Sequence, residues 1–337
     1  MKCCALNTSP NNVYLDHISP LSALLKIPLI ISQEDCATLT EQYYPGVQVR
    51  YWPDLEFRLK DLVEEFDTLI ECDVWTPKHQ FLFRTLYQKE MRLIYCPHGQ
   101  SDKGYKASSL AHYAWQQSVF FYGELMKQML QDLKIPIPTH TLVGNFRYLY
   151  YQTYRDQLRQ AVEQEIFSHL TPSNRTLLYA PTWNDLDHST TFYHYIDKLL
   201  DEKPADWNII VKTHPLLVQN DPAFFARFDS TKKDVLFVHR YPLIYPILEK
   251  MDAYLGDTSS VGYDALAFQK PMFFLKQPHL PQTRLHSCGH MLNPMDNLFQ
   301  SMEQGLRVAD QFRPTQAALY ENAFASVNNL QESVREL

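Results

Sequence analysis

Glycine is scarce in this chain: nine residues in 337. No Gly-x-Gly-x-x-Gly run and no P-loop occurs, so any phosphate must be held by helix ends and side chains, not by a glycine cradle. Cysteine is sparse and scattered. Cys3, Cys4, Cys36, Cys72, Cys96 and Cys288 form no Cys-x-x-Cys pair. That pattern excludes a structural zinc framework and predicts reduced thiols in a cytoplasmic protein. No run approaches the 18 apolar residues of a membrane-spanning helix. The start, Met1-Lys-Cys-Cys-Ala-Leu-Asn7, lacks the apolar stretch of a signal peptide. A formal charge of −7 argues against a general nucleic-acid binder. Internal repeats and low-complexity segments are absent.

What is there is globular: 45% hydrophobic and 20% charged residues. The length suits two domains of ordinary size. Short apolar runs alternate with helical stretches, the pattern of βαβ units and a parallel sheet. Expected strands in the first half are Lys2–Leu6, Pro28–Ser32, Gln48–Trp52, Thr68–Cys72, Leu93–Cys96, Val119–Tyr122 and Thr141–Val143. A charged amphipathic stretch, Tyr148–His169, reads as a helix between domains. The second half predicts strands at Thr176–Tyr179, Asn208–Lys212, Val235–Val238, Ala253–Leu255, Met272–Leu275 and Arg307–Val308. The expected layout is a Rossmann-like domain over 1–147, a linker helix over 148–172 and a second Rossmann-like domain over 173–312. A C-terminal helix over 313–337, with Thr315–Arg335 its clearest part, is expected to cross back to the first domain.

Three second-half strands end in polar turns, and proline marks two of them. Leu177-Leu-Tyr-Ala-Pro-Thr182 is one and Ile209-Ile-Val-Lys-Thr-His-Pro215 the next. The third is Ala253-Tyr-Leu-Gly-Asp-Thr-Ser-Ser260, which runs straight into a helix. Ligands of open parallel sheets lie outside the carboxyl ends of the strands. Thr182, Lys212, His214, Thr258, Ser259 and Ser260 should therefore meet on one rim, and that set suits a pyrophosphate. Asp264 lies one helical turn beyond Ser260 and can hold a sugar hydroxyl. A capped helix in an ordinary α/β sheet is the plainer account of the same Thr-Ser-Ser turn. Arg240, after another strand, can reach a phosphate.

This set, with His98-Gly99, Lys212-Thr-His-Pro215, Asp257-Thr-Ser-Ser260 and Lys270-Pro271, resembles the CDP-glycerol glycerophosphotransferase family. The likeness spans about residues 92–275. It implies an α/β GT-B fold, two Rossmann-like domains whose parallel sheets face a central cleft, with a nucleotide-diphosphate donor on the second domain. It implies that His98 is the general base, a role that suits an imidazole near neutral pH. Two segments depart from the family pattern. Gln100-Ser-Asp-Lys103 follows the His-Gly pair, and Arg284-Leu-His-Ser-Cys-Gly-His290 has no counterpart.

In the first half, Asp16, His17 and Lys103 are candidate acceptor contacts. Asp16 also reads as a helix cap, and Lys103 as a solvated loop lysine. His286, Cys288 and His290 have no carboxylate partner, so no metal site is expected, and a cleft-lining loop is the simpler reading. No cofactor is expected beyond the donor substrate. The resulting expectation is a transferase that moves a glycerophosphate or glycosyl group to a hydroxyl acceptor in cell-envelope or capsule polymer synthesis. That acceptor can be lipid-linked, with peripheral contact at the inner membrane surface. The rivals are a hydrolysing enzyme like the nucleotide-sugar 2-epimerases, and a non-catalytic GT-B-like nucleotide-binding protein.

Overall fold

The computed structural model describes residues 2–10, 12–105, 110–228, 232–327 and 330–335. The chain divides into two compact units. One comprises Met1–Tyr154 with Glu321–Leu337, and the other Arg155–Tyr320.

The first unit holds β1 (Cys3–Asn7), β2 (Pro28–Ile31), β3 (Gln48–Tyr51), β4 (Thr68–Glu71), β5 (Arg92–Tyr95), β6 (Ser118–Phe121) and β7 (Thr139–Leu142). They form one parallel sheet in the order β3-β2-β1-β4-β5-β6-β7. Its central strands are apolar on both faces because helices cover both sides. The second unit repeats the plan. Its strands are β8 (Arg175–Ala180), β9 (Trp207–Val211), β10 (Val235–Phe237), β11 (Ala253–Gly256), β12 (Met272–Phe274) and β13 (His290–Met291). Their order is β10-β9-β8-β11-β12-β13, again parallel throughout. In both sheets the order reverses beside the first strand, between β1 and β4 and between β8 and β11. Such reversals open the crevice in which α/β proteins bind ligands.

Alternate residues build the core. Leu177, Tyr179, Ile209, Val211, Leu255 and Phe273 share one sheet face with Phe192, Ile196 and Leu199 of the helix Phe192–Asp201, and with Leu298, Phe299 and Met302 of the helix Leu298–Leu306. Each such side chain contributes about 1.5–3 kcal/mol by leaving water.

Three expectations need correction. The sixth strand of the second sheet is His290–Met291, not Arg307–Val308. Residues 307 and 308 follow the helix Leu298–Leu306, and Val308 donates back to Gly305 in its last turn. The linker is two helices, Phe146–Thr153 and Arg155–Glu165, broken at Tyr154. Tyr154 closes the first helix on the Tyr150 carbonyl and packs its ring on Tyr150, with the centroids 4.9 Å apart. The tail is also two helices, Arg313–Ala323 and Leu330–Arg335, with Asn328 and Asn329 outside the described residues.

The tail seats where glycine leaves room. A Cβ on Gly123 would stand 2.6 Å from the Ala323 carbonyl oxygen and 2.8 Å from the Phe324 nitrogen. Next to it, the Ala325 N–H donates to the Tyr122 carbonyl at 2.8 Å. Backbone cannot retreat as a flexible side chain would, so Gly123→Ala should lift the tail and destabilise the fold by about 1–3 kcal/mol. Thermal denaturation together with limited proteolysis of the C-terminal segment measures both effects. Wild-type stability and protease resistance would mean that the tail tolerates displacement.

Candidate functional site

In the second unit, β9, β8 and β11 lie side by side with Tyr179 opposite Val211 and Ala180 opposite Gly256. Their carboxyl ends are therefore level. Thr182, Lys212, His214 and the turn Thr258–Ser260 all emerge on that rim, astride the reversal between β8 and β11.

One buried carboxylate holds the rim together. Asp257 is inaccessible to solvent. It accepts from the Thr182 N–H at 3.0 and 3.2 Å, the Thr191 N–H at 3.0 Å, the Thr191 hydroxyl at 3.1 Å and the Ser259 N–H at 3.1 Å. Three chain segments converge on it. Deleting this carboxylate would orphan three buried N–H groups at about 1–3 kcal/mol each. The same bonds modify the expected phosphate cradle, because the Ser259 N–H is spent on Asp257. The helix that follows, Val261–Ala265, is one short turn extended by a 3-10 turn, Leu266–Phe268, and its dipole is correspondingly small. Side chains must carry more of any phosphate binding. Thr258 is buried with no partner for its hydroxyl among the described residues, and Ser260 is half-buried.

His214 caps the helix Pro215–Asn220. Its Nδ1 accepts from the Leu216 N–H at 3.2 Å. A backbone N–H can only donate, so the neutral ring carries its proton on Nε2 and offers a donor. Lys212 is half-buried and extends the β8–β9 ladder through its N–H to the Tyr179 carbonyl at 2.9 Å. Arg240 is exposed in the turn after β10. Asp264 is buried, and the Tyr245 hydroxyl donates to it at 2.8 Å. Its expected role of holding a sugar hydroxyl thus competes with a partner inside the protein. Lys270 donates to the Glu249 and Met251 carbonyls and so seals the end of the helix Tyr245–Lys250.

The Arg284–His290 segment is ordered and largely packed inward. Leu285–Cys288 is a 3-10 turn with His286 and Cys288 buried, and His290 pairs into the sheet beside Phe273.

In the first unit, His98 follows β5 at the same kind of rim. Gly99 beside it has φ +103°, a conformation that side chains resist, which explains why glycine follows the histidine. The His98 ring is exposed, with the Tyr14 ring 5.1 Å and the His17 ring 6.4 Å away between centroids. Surrounding protein disfavours the imidazolium and pushes its pKa down to about 4. The Asp73 carboxylate opposes that shift, while the His112 and Lys103 charges reinforce it. Water at the open edge moderates the shift without reversing its sign. His98 is therefore neutral at neutral pH, as a base must be. Lys103 sits in the short turn Asp102–Tyr105, half-buried.

Asp16 does not stand open to an acceptor. Its carboxylate pairs with the buried Arg147 guanidinium and accepts from the Tyr44 hydroxyl at 3.2 Å, while Arg147 Nε donates to the Asp16 carbonyl at 2.7 Å. Residue 16 locks the start of the helix Leu15–Leu25 onto the helix Phe146–Thr153. His17, next in sequence, is buried and faces the rim side of that helix start beside His98.

Glu71, at the carboxyl end of β4, escaped the reading of the sequence. It is buried, accepts from the Thr8 hydroxyl, and sits at the reversal between β1 and β4. The signal was a charged residue closing the apolar run Thr68-Leu-Ile-Glu71. Burial raises its pKa to about 7, with the Thr8 hydrogen bond lowering it and the Asp73 charge raising it.

Residues 149–279 match the CDP-glycerol:poly(glycerophosphate) glycerophosphotransferase family. That segment contains Thr182, Lys212, His214, Arg240, Thr258–Ser260 and Asp264. The wall teichoic acid polymerase TagF has a similar fold, with TM-score 0.66 and 15% identity over 99% of this chain and 87% of that one. The UDP-GlcNAc 2-epimerase of Methanocaldococcus jannaschii, in complex with UDP-GlcNAc and UDP, has TM-score 0.65 and 14% identity over 99% of this chain and 98% of that one. The Neisseria meningitidis UDP-GlcNAc 2-epimerase bound to UDP-GlcNAc has TM-score 0.61 and 14% identity over the same shares. No curated protein matches the chain by sequence. The two parallel-sheet units are those of the GT-B fold. The family's match and the glycerophosphotransferase-like fold make the chain similar to transferases of this kind.

Glu71 yields a test of the first rim. Folded Glu71 keeps its proton to about pH 7, whereas the ordinary value is 4.5. Between those values the folded state binds more protons, so this group's contribution to stability is lost as pH rises through the window. Glu71→Gln keeps the oxygen that Thr8 donates to and removes the ionisation. It should stabilise the protein by on the order of 2 kcal/mol at pH 8, with the gain fading towards pH 5. Chemical denaturation of both proteins across that range checks the trend. A gain that does not depend on pH would refute it.

Proposed function

We propose that this protein is a GT-B transferase that moves glycerophosphate from a CDP-glycerol-like donor to a hydroxyl acceptor in cell-envelope polymer synthesis. The observation that carries the reading is the meeting of Lys212, His214 and the Thr258–Ser260 turn at the reversal of the second sheet, inside the segment that matches the family. One of the similar TagF structures was soaked with CDPG, which supports a nucleotide donor of this class. The alternative cargo, a glycosyl group, would use the same diphosphate contacts.

The chemistry assigns each residue a task. The acceptor oxygen attacks the phosphorus that bears glycerol, a new O–P bond forms, and the P–O bond to the nucleoside monophosphate breaks. His98 takes the acceptor's proton. Lys212, the Nε2–H of His214 and the hydroxyls of Thr258 and Ser260 meet the negative charge that grows on the leaving phosphate. Thr182, Ser259, Arg240 and Asp264 complete the donor rim, the first two with their hydroxyls, since Asp257 takes their N–H groups. No metal enters the reaction. The protein works in the cytoplasm, on an acceptor presented at the inner membrane surface. Among the described residues no helix is long and apolar enough to cross a membrane.

A hydrolysing reaction like that of the nucleotide-sugar 2-epimerases has one observation in its favour. Such chemistry needs carboxyl acids and bases, and Glu71 is a buried carboxyl at the first rim. Release of nucleoside diphosphate and sugar with no acceptor present would select that reading.

The test pairs turnover with donor affinity. A general base contributes typically 10²–10⁴-fold. His98→Ala and His98→Gln should each lose about that factor in turnover with CDP-glycerol and keep donor affinity near wild type. His214→Ala and Ser260→Ala should instead weaken donor binding in calorimetric titration. Unchanged donor affinity in both second-unit variants would remove the phosphate-site argument. A collapse of donor affinity in His98→Ala would move His98 to the donor side.

A further inference from the structure

The rim of the first unit contains a tyrosine whose hydrogen bonds decide what its neighbouring histidine can recognise. The Tyr122 hydroxyl stands 3.1 Å from the Pro97 carbonyl oxygen and 2.9 Å from His17 Nδ1. The carbonyl can only accept, and the hydroxyl has one proton. Both contacts are satisfied in a single arrangement: Tyr122 donates to Pro97, and His17 Nδ1–H donates to Tyr122. Burial, the Arg147 guanidinium and the neighbouring His98 all lower the His17 pKa well below its ordinary value, so the ring is neutral. Its remaining nitrogen, Nε2, then carries a lone pair and no proton.

Tyr122 is itself held on several sides. Phe146 stacks on its ring at 5.3 Å and Phe324 meets it edge-on at 5.8 Å. The tail fixes its backbone through the Ala325 N–H. Pro97 is the residue before His98, so the same hydroxyl anchors the turn that carries the proposed base.

We infer that Tyr122 fixes His17 as a hydrogen-bond acceptor, and that the site beside His98 therefore selects neutral hydroxyl groups over phosphate. This rests on reading the first rim as the acceptor side, and it names the chemistry that side takes. A hydroxyl can donate to the Nε2 lone pair, whereas a phosphate oxygen offers no proton and would meet lone pair with lone pair. Arg147, the cation whose charge bears on His17, is committed to Asp16. The contrast with His214 is chemical: there Nδ1 accepts and Nε2 donates, which suits a phosphate oxygen. Tyr122 acts as a positioning residue and His17 as a binding residue.

Nitrogen NMR of the full-length protein with 15N-labelled histidine tests this, because the correlation pattern of each ring separates the tautomers. At neutral pH His17 should show a protonated Nδ1 and a bare Nε2. Tyr122→Phe removes the acceptor of that proton and should shift His17 towards the Nε2–H form. Glycerol should move the His17 Nε2 resonance, and inorganic phosphate should not. An Nε2–H or doubly protonated ring in the wild type overturns the inference, as does a response to phosphate without one to glycerol. If Tyr122→Phe fails to fold, His17→Asn supplies the second arm. Its amide can still donate to Tyr122 but puts no acceptor at the Nε2 position. It should raise the acceptor KM roughly fivefold while lowering kcat less, since one neutral hydrogen bond is worth about 1 kcal/mol. An unchanged acceptor KM would sink the assignment. If the tautomers are as stated and CDP-glycerol is never turned over, the proposed function fails and this inference stands.

Discussion

The second unit depends on one buried carboxylate. Asp257 gathers Thr182 and Thr191, 75 and 66 residues away in sequence, and Ser259 beside it, and every contact it makes with them runs from their donors to its oxygens. A buried carboxylate is costly unless it is surrounded by hydrogen-bond donors, and here the donors are mainly backbone. The arrangement is therefore nearly all-or-none. With Asp257 in place, the ends of β8 and β11 and the start of the helix Phe192–Asp201 share one geometry. Without it, each would have to find water in a site that excludes it. The hydroxyls and the lysine of the rim stand where they do because this anchor stands behind them.

The anchor also shapes the chemistry available to a ligand. It consumes the Ser259 N–H and puts negative charge behind the start of a short helix. Both effects weaken the helix-end attraction for phosphate and shift the burden to Lys212, His214 and the side-chain hydroxyls. Such groups are discrete and directional. A rim built from them distinguishes ligands by where their oxygens fall, while a glycine cradle grips any phosphate through backbone alone. The scarcity of glycine and the character of the rim are two aspects of one design.

The histidines illustrate how local bonds set function. His214 and His17 are the same residue type, and both are read as neutral. A backbone N–H takes Nδ1 of one and a tyrosine hydroxyl takes Nδ1 of the other, and the two bonds point in opposite senses. One ring is left offering a proton and the other a lone pair. His98 differs again, exposed at its edge yet neutral because the surrounding protein disfavours its charge. Composition counts thirteen histidines, but only their partners separate these three.

The sequence by itself determined the fold class. Short apolar runs separated by helices can bury both faces only in a parallel α/β sheet, and twelve of the thirteen strands among the described residues lie where those runs predict. It also determined which residues crowd the second rim, since strand ends followed by proline and hydroxyl residues must emerge on one side. The short strand His290–Met291 was illegible, because two residues carry no periodicity. The break at Tyr154 was hidden because the helical pattern runs on through it. Glu71 looked like a strand terminus, and only its burial beside Thr8 gives it an unusual proton affinity. Asp16 looked available until Arg147, 131 residues away, came to rest on it. Identity and spacing specify which groups reach a rim. Which of them are spent on partners inside the protein, and which proton or lone pair each still offers, is decided by contacts between distant segments, and those exist only in the tertiary structure.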